Sequence, residues 1–190
     1  MKVDFKWTAI LIGLIVVCSV ATGAVHGALE GTIAQNDFGT EEEIDITELL
    51  PEASSLKKLD MDIPEDSDIQ SIQGAYDGDE LKGYIIKTDS EGAYSTISIA
   101  IAITNEGEIS GIEILSQNET EGLGDEIADD EFTSRFKSKT AKTPLTLVDD
   151  ETSAKDEVQG LSGATISAQA VVDGVNTAIE FFNTQLEGGN

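Results

Sequence analysis

The residues whose types and spacing could do chemistry form one short stretch, at residues 159–167. It reads Gln-Gly-Leu-Ser-Gly-Ala-Thr-Ile-Ser, and a segment with helical periodicity follows it directly. The hydroxyl of Thr165 or Ser167 can serve as the N-cap of that helix. The free backbone N–H groups and the positive end of the helix dipole would then face a phosphate. The alternative is a turn and a helix cap without any ligand.

The inventory of reactive side chains excludes many kinds of site. The sequence has one Cys and one His. Cys18 lies within an apolar run and His26 lies at its end, so we expect the folded domain to contain neither residue type. This excludes Ser-His-Asp and Cys-His catalysis, the usual zinc sites, haem held by His and iron–sulfur clusters. We predict no metal site and no catalytic residue, so redox chemistry here would need an organic group.

The charge of the chain excludes another class of partner. The sequence has 37 Asp and Glu against 11 Lys and Arg, a formal net charge of −26. Nucleic-acid binding depends on Lys and Arg against phosphates, so we predict no nucleic-acid partner. A salty environment, a cationic partner or solubility would each account for the acidity.

Two elements must position residues 159–167, a helix after them and a sheet before them. Over residues 96–103 four isoleucines alternate with Thr, Ser and Ala, which predicts a half-buried strand. Asn105-Glu106-Gly107 is a hairpin signal, and residues 109–115 form the return strand of an antiparallel sheet. The other predicted elements are a helical turn ahead of Pro51, strands at residues 84–86 and 144–148, and a helix over residues 168–186 with Val172, Val175, Ile179, Phe182 and Leu186 on one apolar stripe.

A second motif follows the return strand at residues 118–125, which read Asn-Glu-Thr-Glu-Gly-Leu-Gly-Asp. Gly122 and Gly124 let a backbone approach a flat ligand closely, and Leu123 between them could lie against its face. The alternative is a loop that enters a helix, with Asp125 as the helix cap.

Both motifs resemble those of FMN-binding domains. Residues 161–167, running into residues 170–175, resemble the family's flavinylation motif, and residues 119–124 resemble its Glu-Thr-Pro-Gly-Leu-Gly signature. These domains occur in the G subunit of Rnf electron-transport complexes and the C subunit of sodium-pumping NADH:quinone reductases. Two positions depart from the pattern: Gln159 stands where the family usually has Asp, and Glu121 replaces the Pro.

The resemblance implies an α+β fold in which one antiparallel sheet and its helices form a single FMN-binding domain. It implies FMN held covalently on Thr165 through a phosphoester, attached by a separate flavin transferase. The resemblance also implies the other cofactor-binding residues: Glu119, Thr120, Leu123 and Gly124 at the flavin ring, and Ser162, Gly163, Ala164 and Ser167 at the phosphate end.

The N-terminal sequence predicts a membrane anchor. Residues 8–25 carry no charge and suit one spanning helix, with lysines before it and acids after it. A cleaved signal peptide is the alternative. We expect an anchor over residues 1–28, an acidic tether over 29–43 and the FMN-binding domain over 44–190. The N-terminus would lie on the cytoplasmic side of the membrane and the FMN-binding domain on the extracytoplasmic side.

The resemblance implies an electron relay within a membrane-bound, ion-translocating oxidoreductase of the Rnf type, without a catalytic site of its own. Its partners would be the other membrane subunits and a soluble or membrane-attached electron carrier. Two alternatives stay open: an FMN-carrying partner of an extracytoplasmic reductase, and a flavin-free, membrane-anchored acidic binding module.

Overall fold

The computed structural model describes residues 44, 46–59, 61, 63–64 and 67–186 of the chain. The predicted anchor and tether lie outside the described residues. Among those that are described, no helix is both long and apolar enough to cross a bilayer.

A five-stranded sheet forms the centre of the fold. Its strands follow one another in chain order as β1-β2-β3-β4-β5, and each pairs with the next in antiparallel fashion. The predicted antiparallel sheet is therefore confirmed. The strands are β1 (Ser55–Lys58), β2 (Ile69–Asp77), β3 (Glu80–Glu91), β4 (Thr96–Thr104) and β5 (Ile109–Ser116).

Strand β4 is buried on both faces. Its isoleucines, such as Ile101, are fully buried in the main core beneath the long helix, whereas Ala100 and Ala102 are equally buried on the opposite face. There they belong to a second, smaller cluster with Leu49 and Leu50. The prediction of a half-buried strand is therefore wrong. The short helix Ile46–Leu49 covers the second face, and alanines leave room for that covering segment to pack closely.

One long helix covers the other face of the sheet. It runs from Thr165 to Phe181 and continues as a π-helical turn over Phe182–Leu186. The predicted apolar stripe is confirmed, because its residues are buried in the main core or packed against it. Gly174 lets the helix approach β4, since a Cβ there would lie 2.8 Å from Ile99 Cδ1. The hydroxyl of Thr88 donates to the Gly174 carbonyl over 3.3 Å and joins β3 to the helix.

The chain between β5 and the long helix consists of short elements. A 3₁₀ helix (Gly124–Ala128), one α-helical turn (Asp130–Thr133) and a second 3₁₀ turn (Ser134–Phe136) come first. Strands β6 (Thr146–Val148) and β7 (Glu157–Gln159) then pair in parallel. The predicted strand at residues 144–148 is thus present and shorter. Strand β7 leads the chain directly into residues 160–164, ahead of the helix.

Candidate functional site

A cleft of about 490 Å³ opens where three segments meet. These are the turn between β3 and β4, the loop that follows β5, and the beginning of the long helix. The fold therefore brings together the two motifs that are separated by about forty residues in the sequence. The lining residues are Ala93, Tyr94, Thr120, Leu123, Gly124, Gly163, Ala164, Thr165, Ile166 and Ser167. Its volume lies within the range of small-molecule sites, roughly 300–1,000 Å³.

Thr165 is the first residue of the long helix, and its side chain is exposed. The N-cap is Ala164, with φ −125° and ψ 37°, and no side chain caps the helix. The prediction that the Thr165 or Ser167 hydroxyl caps this helix is therefore wrong. The first helical bond runs from the Ala168 N–H to the Ala164 carbonyl over 3.0 Å. The N–H groups of the first turn consequently have no intrahelical acceptor and can bind an anion.

Gly163 turns the chain into the helix. Its φ is +84°, a left-handed conformation that glycine adopts without the steric penalty of a side chain. A Cβ at this position would also lie 3.1 Å from Leu123 Cδ2 on the opposite wall of the cleft. A glycine here therefore allows both the turn and the close approach of the two motifs.

Apolar side chains surround the cleft and remain open to solvent. In the described part of the chain the large exposed hydrophobic residues are Tyr94, Leu123 and Ile166, which are 78%, 45% and 66% exposed. All of them line this one cleft. Apolar groups gathered at a concave site indicate a place for an apolar or aromatic ligand. The cleft therefore suits a molecule with a flat apolar part and a phosphate.

Glu119 joins the walls of the cleft. Its Oε1 accepts hydrogen bonds from the N–H groups of Tyr94 and Ser95, each over 3.0 Å. Its Oε2 accepts from the Ala93 N–H over 3.0 Å and from the Ser167 hydroxyl over 2.6 Å. The side chain is largely buried, at 9% exposure. The carboxylate thus connects the turn before β4 with the first turn of the long helix.

These contacts favour the ionised form of Glu119. Burial by itself would raise the pKa of Glu119. The hydrogen bonds from Ser167 and from the backbone N–H groups of Tyr94, Ser95 and Ala93 outweigh burial and lower this pKa below its ordinary value. A lowered pKa in the folded state stabilises the domain above the ordinary pKa of 4.5, and this contribution is lost as pH falls through the lowered value.

Glu119→Gln should therefore flatten the acid side of the stability profile. Wild-type chain loses the stabilisation by Glu119 on acidification, whereas the variant has already lost it at neutral pH. Thermal unfolding between neutral pH and pH ~3 measures this, because that window brackets the ordinary carboxyl pKa. Glu126→Gln removes an exposed carboxylate nearby and should keep the wild-type profile. Parallel profiles for wild type and Glu119→Gln would contradict the expectation.

Arg135 fixes the chain just ahead of the helix. One guanidinium nitrogen donates to the carbonyl oxygens of Gln159 and Gly160, over 3.0 and 2.8 Å. The other forms an ion pair with Glu131 at 3.2 Å. Gln159 ends strand β7, so its backbone is held by both the small sheet and Arg135. Gln159, at which the sequence departs from the motif it resembles, therefore lies at an anchored position.

The cleft-forming segments carry no positive side chain. The sequence has no Lys or Arg between residues 88 and 134, nor after residue 155. The turn between β3 and β4, the loop after β5 and the start of the helix all lie within these stretches. A phosphate at the cleft would therefore be held by backbone N–H groups and the helix dipole rather than by a cation.

Most of the predicted cofactor-binding residues line the cleft, and two do not. Thr120, Leu123, Gly124, Gly163, Ala164, Thr165 and Ser167 line it. Glu119 lies behind the lining, with its carboxylate turned to the turn between β3 and β4. Ser162 is exposed on the loop that precedes the helix. Asp125 is not a helix cap, because its Oδ1 accepts the Gly122 N–H over 2.8 Å within the loop.

Sequence reasoning missed Ala93, Tyr94 and Ile166 at the cleft. Tyr94 stands in a polar turn where an exposed aromatic residue is unusual, and this was an available signal. Ile166 lies inside the hydroxyl motif on the polar side of the helix. An isoleucine outside the apolar stripe was likewise a signal for a contact other than the core.

Comparison with known proteins gives a family and a fold. A family model described as an FMN-binding domain matches residues 92–180. Over 195 residues the chain is 30% identical to the G subunit of the Na(+)-translocating ferredoxin:NAD(+) oxidoreductase complex of Acetobacterium woodii, covering 95% of this chain and 92% of the relative. Over 110 residues it is 36% identical to the G subunit of the proton-translocating ferredoxin:NAD(+) oxidoreductase complex of Clostridium ljungdahlii, covering 58% of each.

A solved structure shares the fold. The crystal structure of NqrC from Shewanella oneidensis matches with a TM-score of 0.53 and 20% identity, over 77% of this chain and 75% of that one. At this identity the likeness shows the fold alone. The shared fold is a sheet-plus-helix domain with an antiparallel sheet, as the sequence predicts.

Proposed function

We propose that this chain, which belongs to the family of G subunits of ion-translocating oxidoreductase complexes, relays electrons through one FMN held in its cleft. The observation that carries the proposal is the meeting of exposed Tyr94, Leu123 and Ile166 with the helix N-terminus at Thr165. The apolar side chains suit the flavin ring, and the N–H groups of the first helical turn suit its phosphate. FMN, when bound, supplies the capacity to take up and release electrons.

We further propose that Thr165 carries the FMN covalently. Its hydroxyl is exposed at the first position of the helix, where the unpaired N–H groups would stabilise the phosphate of a phosphoester. Thr165 lines the cleft together with Gly163 and Ala164, which precede it in the chain. A covalent bond would keep the flavin from dissociating.

The attachment needs a separate flavin transferase. A threonine hydroxyl is a weak nucleophile without an adjacent general base, and the sequence after residue 26 contains no His. We propose that the transferase supplies the base and uses FAD as donor. The bond from Thr165 Oγ1 to the FMN phosphorus forms, the bond between FMN and AMP breaks, and the threonine proton goes to the transferase.

We propose that the relay has the domain organisation predicted from the sequence. An anchor over residues 1–28 with a span at 8–25 and a tether over 29–43 would hold the FMN-binding domain, residues 44–190, outside the cytoplasmic membrane. The other subunits of the complex would be its partners, with a soluble or membrane-attached carrier as a further one. The relatives are named as parts of ferredoxin:NAD(+) oxidoreductase complexes, and electrons on that route would pass through this chain.

The proposed relay is tested in the isolated complex during turnover. Rapid-mixing absorbance should show the flavin of this chain reduced when the donor is added and reoxidised when the acceptor follows, at a rate no lower than turnover. The complex assembled with Thr165→Ala is the control, because the same signal should be missing. A flavin that stays oxidised while wild-type complex turns over would overturn the proposal.

A further inference from the structure

The Glu119 carboxylate bridges the two walls of the cleft that are most distant in sequence. One wall is the turn carrying Tyr94, and the other is the first helical turn, carrying Thr165 and Ser167. The carboxylate accepts three backbone N–H groups from the first wall and one hydroxyl from the second. The Ser95 hydroxyl adds a longer bond of 3.3 Å to Oε1.

We propose that Glu119 is a positioning residue that sets the width of the cofactor cleft. By holding the Tyr94 turn against Ser167, it fixes the apolar wall at a constant distance from Thr165. Glu119 does not touch the cofactor in this arrangement and acts through the two walls. The inference rests on the proposed function, since it names the residue that shapes the FMN site.

The glycines around Glu119 support this role. A Cβ on Gly92 would lie 2.5 Å from Glu119 Oε1, and a Cβ on Gly124 would lie 2.8 Å from Glu119 Cβ and 3.0 Å from Ser167 Oγ. Contacts shorter than 3.0 Å cannot be accommodated without movement. Glycines in the turn between β3 and β4 and in the loop after β5 therefore leave the space that the Glu119 side chain fills.

The set of partners requires a carboxylate. Every hydrogen bond that the structure shows to the Glu119 carboxylate is donated to it, and each of its oxygens has a backbone N–H among its partners, which cannot act as an acceptor. An ionised carboxylate has acceptors only, at both oxygens. A glutamine of the same shape would present its NH₂ group to one side, where it would meet donors. Glu119→Gln therefore disturbs the hydrogen bonds of the carboxylate while it keeps the volume of the side chain.

The same contact assigns Ser167 a new role. Its hydroxyl donates its hydrogen to Glu119 over 2.6 Å, and the side chain is 2% exposed. That hydrogen is consequently committed and cannot be donated to a phosphate. At Ser167 the phosphate would accept a hydrogen bond from the backbone N–H, while the side-chain hydroxyl binds Glu119 and so holds the helix to it.

The experiment compares full-length wild type, Glu119→Gln, Ser167→Ala, the double variant and the control Glu126→Gln. Hydrogen exchange of the Ala93, Tyr94 and Ser95 amides is measured on flavin-free protein. Time-resolved fluorescence anisotropy of the flavin is measured on loaded protein. We expect amide exchange at least about tenfold faster in Glu119→Gln, since bonds to a charged acceptor are among the stronger ones.

The flavin provides the readout that a merely structural residue would leave unchanged. We expect the flavin to rotate faster within its site in Glu119→Gln and, less so, in Ser167→Ala. The double variant should match Glu119→Gln alone, because Ser167 acts through that carboxylate. Ser167→Ala is the milder change, and it replaces Glu119→Gln as the test variant if Glu119→Gln does not fold.

Two results in the variants would overturn the inference and leave the proposed function intact. Unchanged amide exchange in both single variants would mean that the carboxylate does not hold the turn. Faster exchange with unchanged flavin rotation would mean that the turn does not shape the cofactor site. Wild-type protein that carries no FMN after production with an active flavin transferase would instead refute the proposed function, and the positioning role with it.

Discussion

Thr165→Ala should give a protein that folds like the wild type and carries no covalently bound flavin. The side chain is exposed at the first position of a long helix, and exposed substitutions of this kind change the free energy of unfolding by less than about 0.5 kcal/mol. The loss of flavin should be complete, because the hydroxyl oxygen is itself part of the proposed phosphoester. The measurement is flavin fluorescence of the denatured protein on a gel, after production with a flavin transferase.

Thr143→Ala is the matched control for this variant. Thr143 is exposed in a loop outside the cleft, so its replacement should leave the fluorescent band at wild-type intensity. Production without the transferase should give a dark band for every variant. A fluorescent Thr165→Ala band would mean that the flavin is attached elsewhere.

Ile101→Ala should have the largest effect on stability. Ile101 lies at the middle of β4 and is fully buried in the main core. Removing its side chain loses burial energy and leaves a cavity, which typically costs about 2–5 kcal/mol. Chemical denaturation should therefore show a large loss in the free energy of unfolding.

Ile166→Ala is the matched control for Ile101→Ala, because it also replaces isoleucine by alanine but does so at the cleft. Ile166 is 66% exposed, so its replacement should change the free energy of unfolding by less than about 0.5 kcal/mol. If Ile166 serves the cofactor, its replacement should still shift the flavin absorption spectrum or quicken flavin rotation. Equal loss of stability in Ile101→Ala and Ile166→Ala would contradict the separation of core from cleft.

The parts of the fold that sequence could predict are those with a strong local pattern. The isoleucine alternation over residues 96–103 locates β4, and the apolar stripe locates the long helix. Strand β2 has no such pattern, because Gly74 and Gln73 interrupt its apolar residues, and β7 is only 3 residues long. Their positions follow from pairing with distant strands rather than from their own sequence.

The second face of β4 shows how tertiary contacts override a local pattern. Alternating Ile and Ala predicts one buried face, since alanine is compatible with either environment. Whether Ala100 and Ala102 are buried depends on the segment around Leu49, which packs on them from about fifty residues away. Only the folded chain reveals that contact.

The candidate site was predictable as motifs and not as contacts. The two motifs indicated which loops meet, yet the partner of Ser167 is Glu119, 48 residues away. Local reasoning offered the Ser167 hydroxyl as a helix cap, and the resemblance implied Ser167 at the phosphate end and Glu119 at the flavin ring. The structure pairs them with each other, because both point into the same buried space between the loop and the helix.

The measurement that tests the proposed flavin attachment most directly is mass spectrometry of the chain isolated from its native complex. Trypsin cleaves after Lys155, and no Lys or Arg follows it, so Thr165 lies in the peptide that begins at Asp156. We expect this peptide to carry the mass of one FMN less one water, with fragments that place it on Thr165. The unmodified peptide alone, or the same mass on another peptide, would contradict the proposal that Thr165 holds the flavin.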